Sequence, residues 1–209
     1  MRSASPTITI YSDYVCPFCY LGRISLDRYQ DTRDEKLRID WHPFDLRSQK
    51  RRPDGTIDHA VDDGKDDDYF EQAKRNVRRL AEKYDAEMDL ELATDIDSLS
   101  AQLVSYYLRE NRDYETWLAF DEAVLAALWE DGKDIGKPAL LVELATDAGA
   151  DADEVRSALD DDSLREELRQ RFTDAQSEGI GGVPTFAYDG YAARGAVPPE
   201  QLERLVEGV

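Results

Sequence analysis

The chain reads as an α/β protein whose small sheet-containing core is split in sequence by a large helical insertion. Three observations predict this. Residues 7–43 read as strand, helix, strand; residues 69–178 carry the apolar period of helices; residues 179–209 return to strand, tight turn, strand and a closing helix. Each end segment is too small to bury a sheet alone. Together, as 1–65 and 179–209, they make a four-stranded α/β core, with 66–178 as an inserted all-helical domain.

The first strand is Thr7-Ile8-Thr9-Ile10-Tyr11, where apolar and polar residues alternate. The helix after it carries Ile24, Leu26 and Tyr29 at roughly helical spacing. In Lys36-Leu37-Arg38-Ile39-Asp40-Trp41-His42-Pro43 the period returns to two, with Leu37, Ile39 and Trp41 on one face. Strand, helix, strand over this length is a βαβ unit, so the two strands are expected to be parallel. Residues 47–68 are polar and read as a long surface loop. Their triplet Lys50-Arg51-Arg52 is expected to be solvated, with anion docking as the lesser alternative.

Helical stripes follow. Phe70, Ala73, Val77, Leu80, Ala81 and Tyr84 form the first, and Leu99, Leu103, Tyr106 and Tyr107 the second. Trp117, Phe120, Val124, Leu125 and Leu128 form the third. Asp97-Ser98 and Asp113 are candidate N-caps, Asp131-Gly132 a stop, Pro138 a start and Gly149 an end. Helices at 152–159 and 163–178 complete the block, closed by Gly179. The stripes are read as the core of a helical bundle. In the last segment Asp189-Gly190 is a hairpin turn between strands at 185–188 and 191–194. Pro198-Pro199 opens a helix carrying Leu202, Leu205 and Val206.

The stretch with chemistry in it is Tyr14-Val15-Cys16-Pro17-Phe18-Cys19-Tyr20, which holds both cysteines of the chain. A Cys-x-x-Cys between a strand and a helix is a redox motif. Pro17 suits a first helical turn, where its missing N–H costs nothing. Cys16 then sits where unpaired N–H groups and the helix dipole favour an anion, and the thiolate is the nucleophilic form of cysteine. Cys19 lies almost one turn further in. Cys16 is therefore the candidate attacking thiol and Cys19 the resolving one. A zinc site needs more ligands than the motif supplies, and the two histidines, His42 and His59, lack finger-like spacing. Two unrelated buried thiols are the other structural alternative. No metal or organic cofactor is needed for thiol exchange.

Composition constrains the setting. The 46 acidic and 26 basic residues give a net charge of −20, with 29 Asp to 17 Glu and only 7 Lys. Self-repulsion on that scale is tolerable where salt screens it, with a Debye length of about 3 Å at 1 M, so a halophilic protein with an acidic surface is expected. The same charge argues against nucleic acid, which calls for a basic face. No stretch has the length of a membrane span, and the opening residues carry no apolar signal region, so a cytoplasmic protein is expected.

Ser12-Asp13-Tyr14-Val15-Cys16-Pro17-Phe18-Cys19-Tyr20-Leu21-Gly22 resembles the opening of the DsbA-like, FrnE-type thiol:disulfide oxidoreductases, which have a thioredoxin fold with an inserted helical domain. Pro43-Phe44-Asp45-Leu46, Asp131-Gly132-Lys133-Asp134-Ile135-Gly136 with Leu144-Ala145 and Ala148-Gly149, Gly182-Val183-Pro184-Thr185-Phe186, and Arg194-Gly195-Ala196 are similar to further stretches of that family. The resemblance implies a cis Val183–Pro184 peptide packed against the two cysteines. It also implies substrate binding by Val183, Pro184, Pro17 and Phe18, with the Val183 backbone pairing to a substrate segment as an added strand. Where strongly oxidising relatives carry Pro-His between the cysteines, this chain has Pro17-Phe18. Phe18 offers the Cys16 thiolate no hydrogen bond, which implies a milder oxidant.

The function expected is thiol–disulfide exchange, with protein or small-molecule disulfides and thiols as substrates and an unspecified redox partner. Monomer and homodimer are both open. Two alternatives stand beside it. One is a glutathione- or thiol-dependent isomerase or transferase of the kappa-class or hydroxychromene carboxylate isomerase type, relatives that typically carry serine near the place of Cys16. The other is a non-catalytic binding or holdase protein.

Overall fold

The computed structural model describes residues 6–89 and 91–208. Residues 1–5, which the sequence assigns to the first part of the core, and Val209 lie outside the described residues. The elements in chain order are β1 (Thr7–Ser12), α1 (Pro17–Asp31), β2 (Arg38–Pro43), α2 (Asp67–Lys83), α3 (Leu99–Asn111) and α4 (Tyr114–Trp129). They continue with α5 (Pro138–Asp147), α6 (Ala152–Leu159), α7 (Asp162–Ser177), β3 (Thr185–Tyr188), β4 (Tyr191–Arg194) and α8 (Pro199–Glu207). Among the described residues a short 3-10 turn at Ser48–Lys50 and six α-helices, α2 to α7, separate β2 from β3.

The four strands form one sheet in the order β2-β1-β3-β4. β1 and β2 run parallel, as a βαβ unit requires, with Ile10 opposite Trp41. β3 joins β1 antiparallel, Ile10 now facing Phe186, and β4 joins β3 antiparallel. The alternation read from the sequence is the alternation of burial: Ile8, Ile10, Ile39 and Trp41 point into the core. The β3–β4 turn has Asp189 at φ 47° and Gly190 at φ 81°. Both central residues are left-handed, as a tight hairpin twisted like its strands demands.

The Asp excess has a local use at helix starts. Asp66, Asp113, Asp151 and Asp161 are the N-caps of α2, α4, α6 and α7, each accepting first-turn N–H groups that have no partner within the helix. Asp97-Ser98, the expected cap of α3, works differently. The Asp97 carboxylate accepts from the Leu99 N–H at 3.0 Å, while the Ser98 hydroxyl makes no cap and turns instead toward residue 13.

The second and third stripes pack into one continuous core with the sheet: Leu103, Tyr106, Trp117, Phe120, Val124 and Leu128 join Ile8, Ile10, Trp41 and Phe186. The first stripe does not. Val77, Ala81 and Tyr84 form a separate cluster with Leu21 of α1, against which Phe18 and Leu80 pack. The helical period of α2 reports an amphipathic helix in both cases; which surface covers its apolar face is set by the fold. The stretch read as a long surface loop is tied down by its charges. Arg51 bonds to both Asp45 and Asp97, Lys50 lies 3.1 Å from Asp63, and Arg52 lies 3.0 Å from Asp58. All three basic residues of the triplet thus have carboxylate partners within the protein.

Candidate active site

The site is built by the turn from β1 into α1. After Ser12 the Asp13 side chain accepts from the Val15 N–H at 3.3 Å, and the Asp13 carbonyl accepts from the Cys16 N–H at 3.1 Å. An Asx side chain bonding two residues on is a turn former, and it delivers Cys16 to the N-cap position of α1. Cys16 has extended backbone (φ −90°, ψ 111°), and its carbonyl already accepts the helical N–H groups of Cys19 (3.0 Å) and Tyr20 (3.3 Å). Pro17 occupies the first helical position, as the sequence implies.

Both thiols are free and almost covered: Cys16 is 4% exposed and Cys19 5%. Burial, then the neighbouring Cys16 sulfur, pushes the Cys19 thiol well above its ordinary value. Opposite Cys16 stands the loop before β3. The Val183–Pro184 peptide is cis, and the Cys16 sulfur lies 3.7 Å from the Val183 carbonyl oxygen, within reach of a weak S–H···O contact. Pro184 is buried, while Pro17, Phe18 and Val183 are half-buried. The Pro184 carbonyl is taken by the Gly195 N–H at 2.8 Å. Gly22, one turn beyond Phe18, lets this loop approach: a Cβ there would stand 3.1 Å from both Pro184 Cγ and Phe186 Cζ, closer than ordinary contact. The six candidates named from the sequence therefore fall in one neighbourhood. Phe18 differs from the rest in direction, since part of its ring packs against the α2 cluster.

Behind the thiols lie polar residues that sequence reasoning did not single out. Asp13 is 1% exposed. Besides Val15, it accepts from the Ser98 hydroxyl at 2.5 Å and the Leu46 N–H at 3.0 Å. Burial outweighs these bonds and raises its carboxyl to about 6. Next to it, the Tyr14 hydroxyl lies 2.8 Å from both Asp121 and Ser105, and Arg23 donates to the other Asp121 oxygen at 2.7 Å. Arg23 and Asp121 form a buried ion pair, their side chains 9% and 2% exposed. Trp129 donates to the Tyr14 carbonyl at 2.9 Å and Trp117 to Ser105 at 3.0 Å. The only hint in the sequence was Asp13 itself, three residues before Cys16; Arg23 and Asp121 are 98 positions apart and carry no local signal. Among the described residues no group of three or more His, Cys, Asp or Glu is placed to hold a metal ion. No helix of the described residues is long and apolar enough to cross a membrane.

A dithiol at the start of the helix following the first strand, faced by a cis-proline loop, is the arrangement of a thioredoxin fold enlarged by six helices. The chain belongs to the DSBA-like thioredoxin domain family, whose model matches residues 7–207. It is 26% identical over 200 residues to YwbO, an uncharacterized protein of Bacillus subtilis (strain 168), covering 95% of this chain and 94% of that one. Among solved structures it is similar to a probable DsbA oxidoreductase, SCO1869 from Streptomyces coelicolor, with TM-score 0.77 and 24% identity over 97% of this chain and 88% of that one. It is also similar to a 2-hydroxychromene-2-carboxylate isomerase, with TM-score 0.70 and 19% identity over 94% and 92%. At these identities the two structures speak for the fold.

Proposed function

We propose that the protein is a thiol:disulfide oxidoreductase in which Cys16 is the nucleophile and Cys19 the resolving thiol. The observation that carries this reading is the placement of the pair. Cys16 occupies the N-cap position at the positive end of α1 with its sulfur beside the Val183 carbonyl, and Cys19 follows almost one turn further along the helix. The Cys16 thiolate attacks one sulfur of a substrate disulfide, forming a mixed disulfide and releasing the other half as a thiolate. The Cys19 thiolate then attacks the Cys16 sulfur, so the second half leaves as a thiolate and the Cys16–Cys19 disulfide forms. Two electrons pass to the substrate, and the reverse sequence passes them back. The raised Cys19 thiol fits this order: burial holds it protonated, and the mixed disulfide removes the neighbouring Cys16 thiolate that raises it further.

In this reading Val183, Pro184, Pro17 and Phe18 form the substrate rim, with the Val183 backbone as the edge for an extended segment. The half-buried Phe18 ring supplies no donor to Cys16, which favours a milder oxidant than a Pro-His protein. The charge of −20 supports a working medium of high salt. The similarity to an isomerase structure supports one rival, a thiol-dependent isomerase or transferase, for which a second, buried cysteine has no step to perform.

The experiment is equilibration of the reduced protein with glutathione or dithiothreitol in high salt, alongside exchange on a model protein disulfide. A reversible two-electron couple is expected, with exchange abolished in Cys16→Ser and a trapped mixed disulfide in Cys19→Ser. Absence of a couple, or a Cys16→Ser variant as active as the parent, would overturn the reading. Turnover with glutathione that is indifferent to Cys19→Ser would transfer the case to the isomerase.

A further inference from the structure

A pocket lies at the opposite end of β1 from Cys16. It has a volume of about 250 Å³ and is lined by Thr7 and Arg38, which begin β1 and β2, by Asp40, by Arg109 and Arg112 at the end of α3, and by Tyr114. Three guanidinium groups converge there in a chain of net charge −20, against a single lining carboxylate. We propose that this pocket is a binding site for a small oxyanion, a phosphoryl group on a compact organic body.

Each cation is held in place before any ligand arrives. The Arg38 guanidinium lies over the Tyr114 ring, 3.9 Å from its centroid, and the Tyr114 hydroxyl accepts from the Ile39 N–H at 2.9 Å. Arg109 is fixed by the Trp41 carbonyl and Asp40. Arg112 donates to the Asn111 carbonyl at 3.1 Å and pairs with Glu154. Asp40 and Glu154 thus offset two of the three charges. Arg38 has no carboxylate partner among the described residues, and it is the charge left for a ligand. A guanidinium presents two parallel N–H groups to carboxylate and phosphate oxygens, and a fork already positioned by stacking loses less freedom on binding. The volume lies below the roughly 300–1,000 Å³ of sites for drug-sized ligands, which favours a compact anion.

The test uses inorganic phosphate as the probe, exchanged against chloride at constant ionic strength so that general screening of the acidic surface does not change. The thermal midpoint of the whole chain is expected to rise saturably with phosphate. Arg38→Gln should lower the apparent affinity about tenfold, the loss of one charge-assisted bidentate contact. Arg194→Gln, on exposed β4 outside the pocket, should leave it unchanged. Phosphorus NMR titration of the same proteins reads the binding directly, so a variant with altered stability still reports. No saturable effect on the parent, or equal affinity in Arg38→Gln, would overturn the proposal.

Discussion

Replacing Asp13 by Asn should remove an unusual dependence of stability on pH. In the native state the Asp13 carboxyl is raised to about 6 by burial, against an ordinary value near 3.8. Between those values the native protein binds more protons than the unfolded chain, so this group's contribution to stability is full below about pH 4. It is lost as pH rises through about 6. Two units at about 1.4 kcal/mol each give a loss of about 3 kcal/mol. Asn does not titrate, and every other acidic group is common to both proteins. The difference in unfolding free energy, parent minus Asp13→Asn, should therefore fall by about 3 kcal/mol from pH 3 to pH 7 and stay level above it. Urea unfolding in concentrated potassium chloride measures this directly. With a slope of about 3 kcal/mol per molar urea, the midpoint difference moves by about 1 M. The constant part of the difference reflects geometry, because the Asn amide group would face the Leu46 N–H, but a hydrogen-bond mismatch carries no pH slope. A difference that is flat across the range, or that grows with pH, would refute the argument.

Two further outcomes follow from the buried groups. Asp121→Ala strands the Arg23 charge in a site 9% exposed and should cost about 3–5 kcal/mol in urea unfolding, whereas Arg23→Met with Asp121→Leu should recover most of it; equal losses in the two would contradict the ion-pair account. In the reduced protein at pH 7.5, iodoacetamide should add at Cys16, at the positive end of α1, well before Cys19, whose thiol is raised by burial and by the Cys16 sulfur, and equal rates at the two would contradict this order.

The parts of the fold legible in the sequence were those governed by local periodicity and punctuation. The alternation of Ile8, Ile10, Ile39 and Trp41, the Asp189-Gly190 turn and Pro17 at the helix start each act within a few residues, and each stands where its pattern implies. The cysteine pair was legible for the same reason. What stayed hidden was partner choice across distance. The α2 stripe has the period of a core helix, yet its apolar face covers Leu21 and Phe18, because that surface of α1 is left open by the sheet. Ser98 has the sequence position of a cap, and a buried carboxylate from residue 13 outcompetes the helix for its hydroxyl. Arg23 could have been a solvated helix cation; only the fold brings Asp121 of α4 against it.

These long-range contacts share a target, and that explains why a helical insertion is compatible with a site built on the opening turn. Ser98 of the α3 start reaches Asp13, Asp121 of α4 and Ser105 of α3 reach Tyr14, and Trp129 of α4 reaches the Tyr14 carbonyl. Four contacts from the helices thus converge on the two residues that shape the approach to Cys16. The Asx bond from the Val15 N–H to Asp13 is long, at 3.3 Å, and a turn that holds a thiol beside a carbonyl gains from bracing beyond its own hydrogen bond. The strands cannot supply it, since β1 ends at Ser12. The helices do, through buried polar bonds whose loss would leave unsatisfied groups on both sides. By this argument the helical block is a structural partner of the thiol-bearing turn, and substitutions at Ser98, Ser105 or Asp121 are expected to act on Cys16 through its backbone, read as a shifted potential of the Cys16–Cys19 pair.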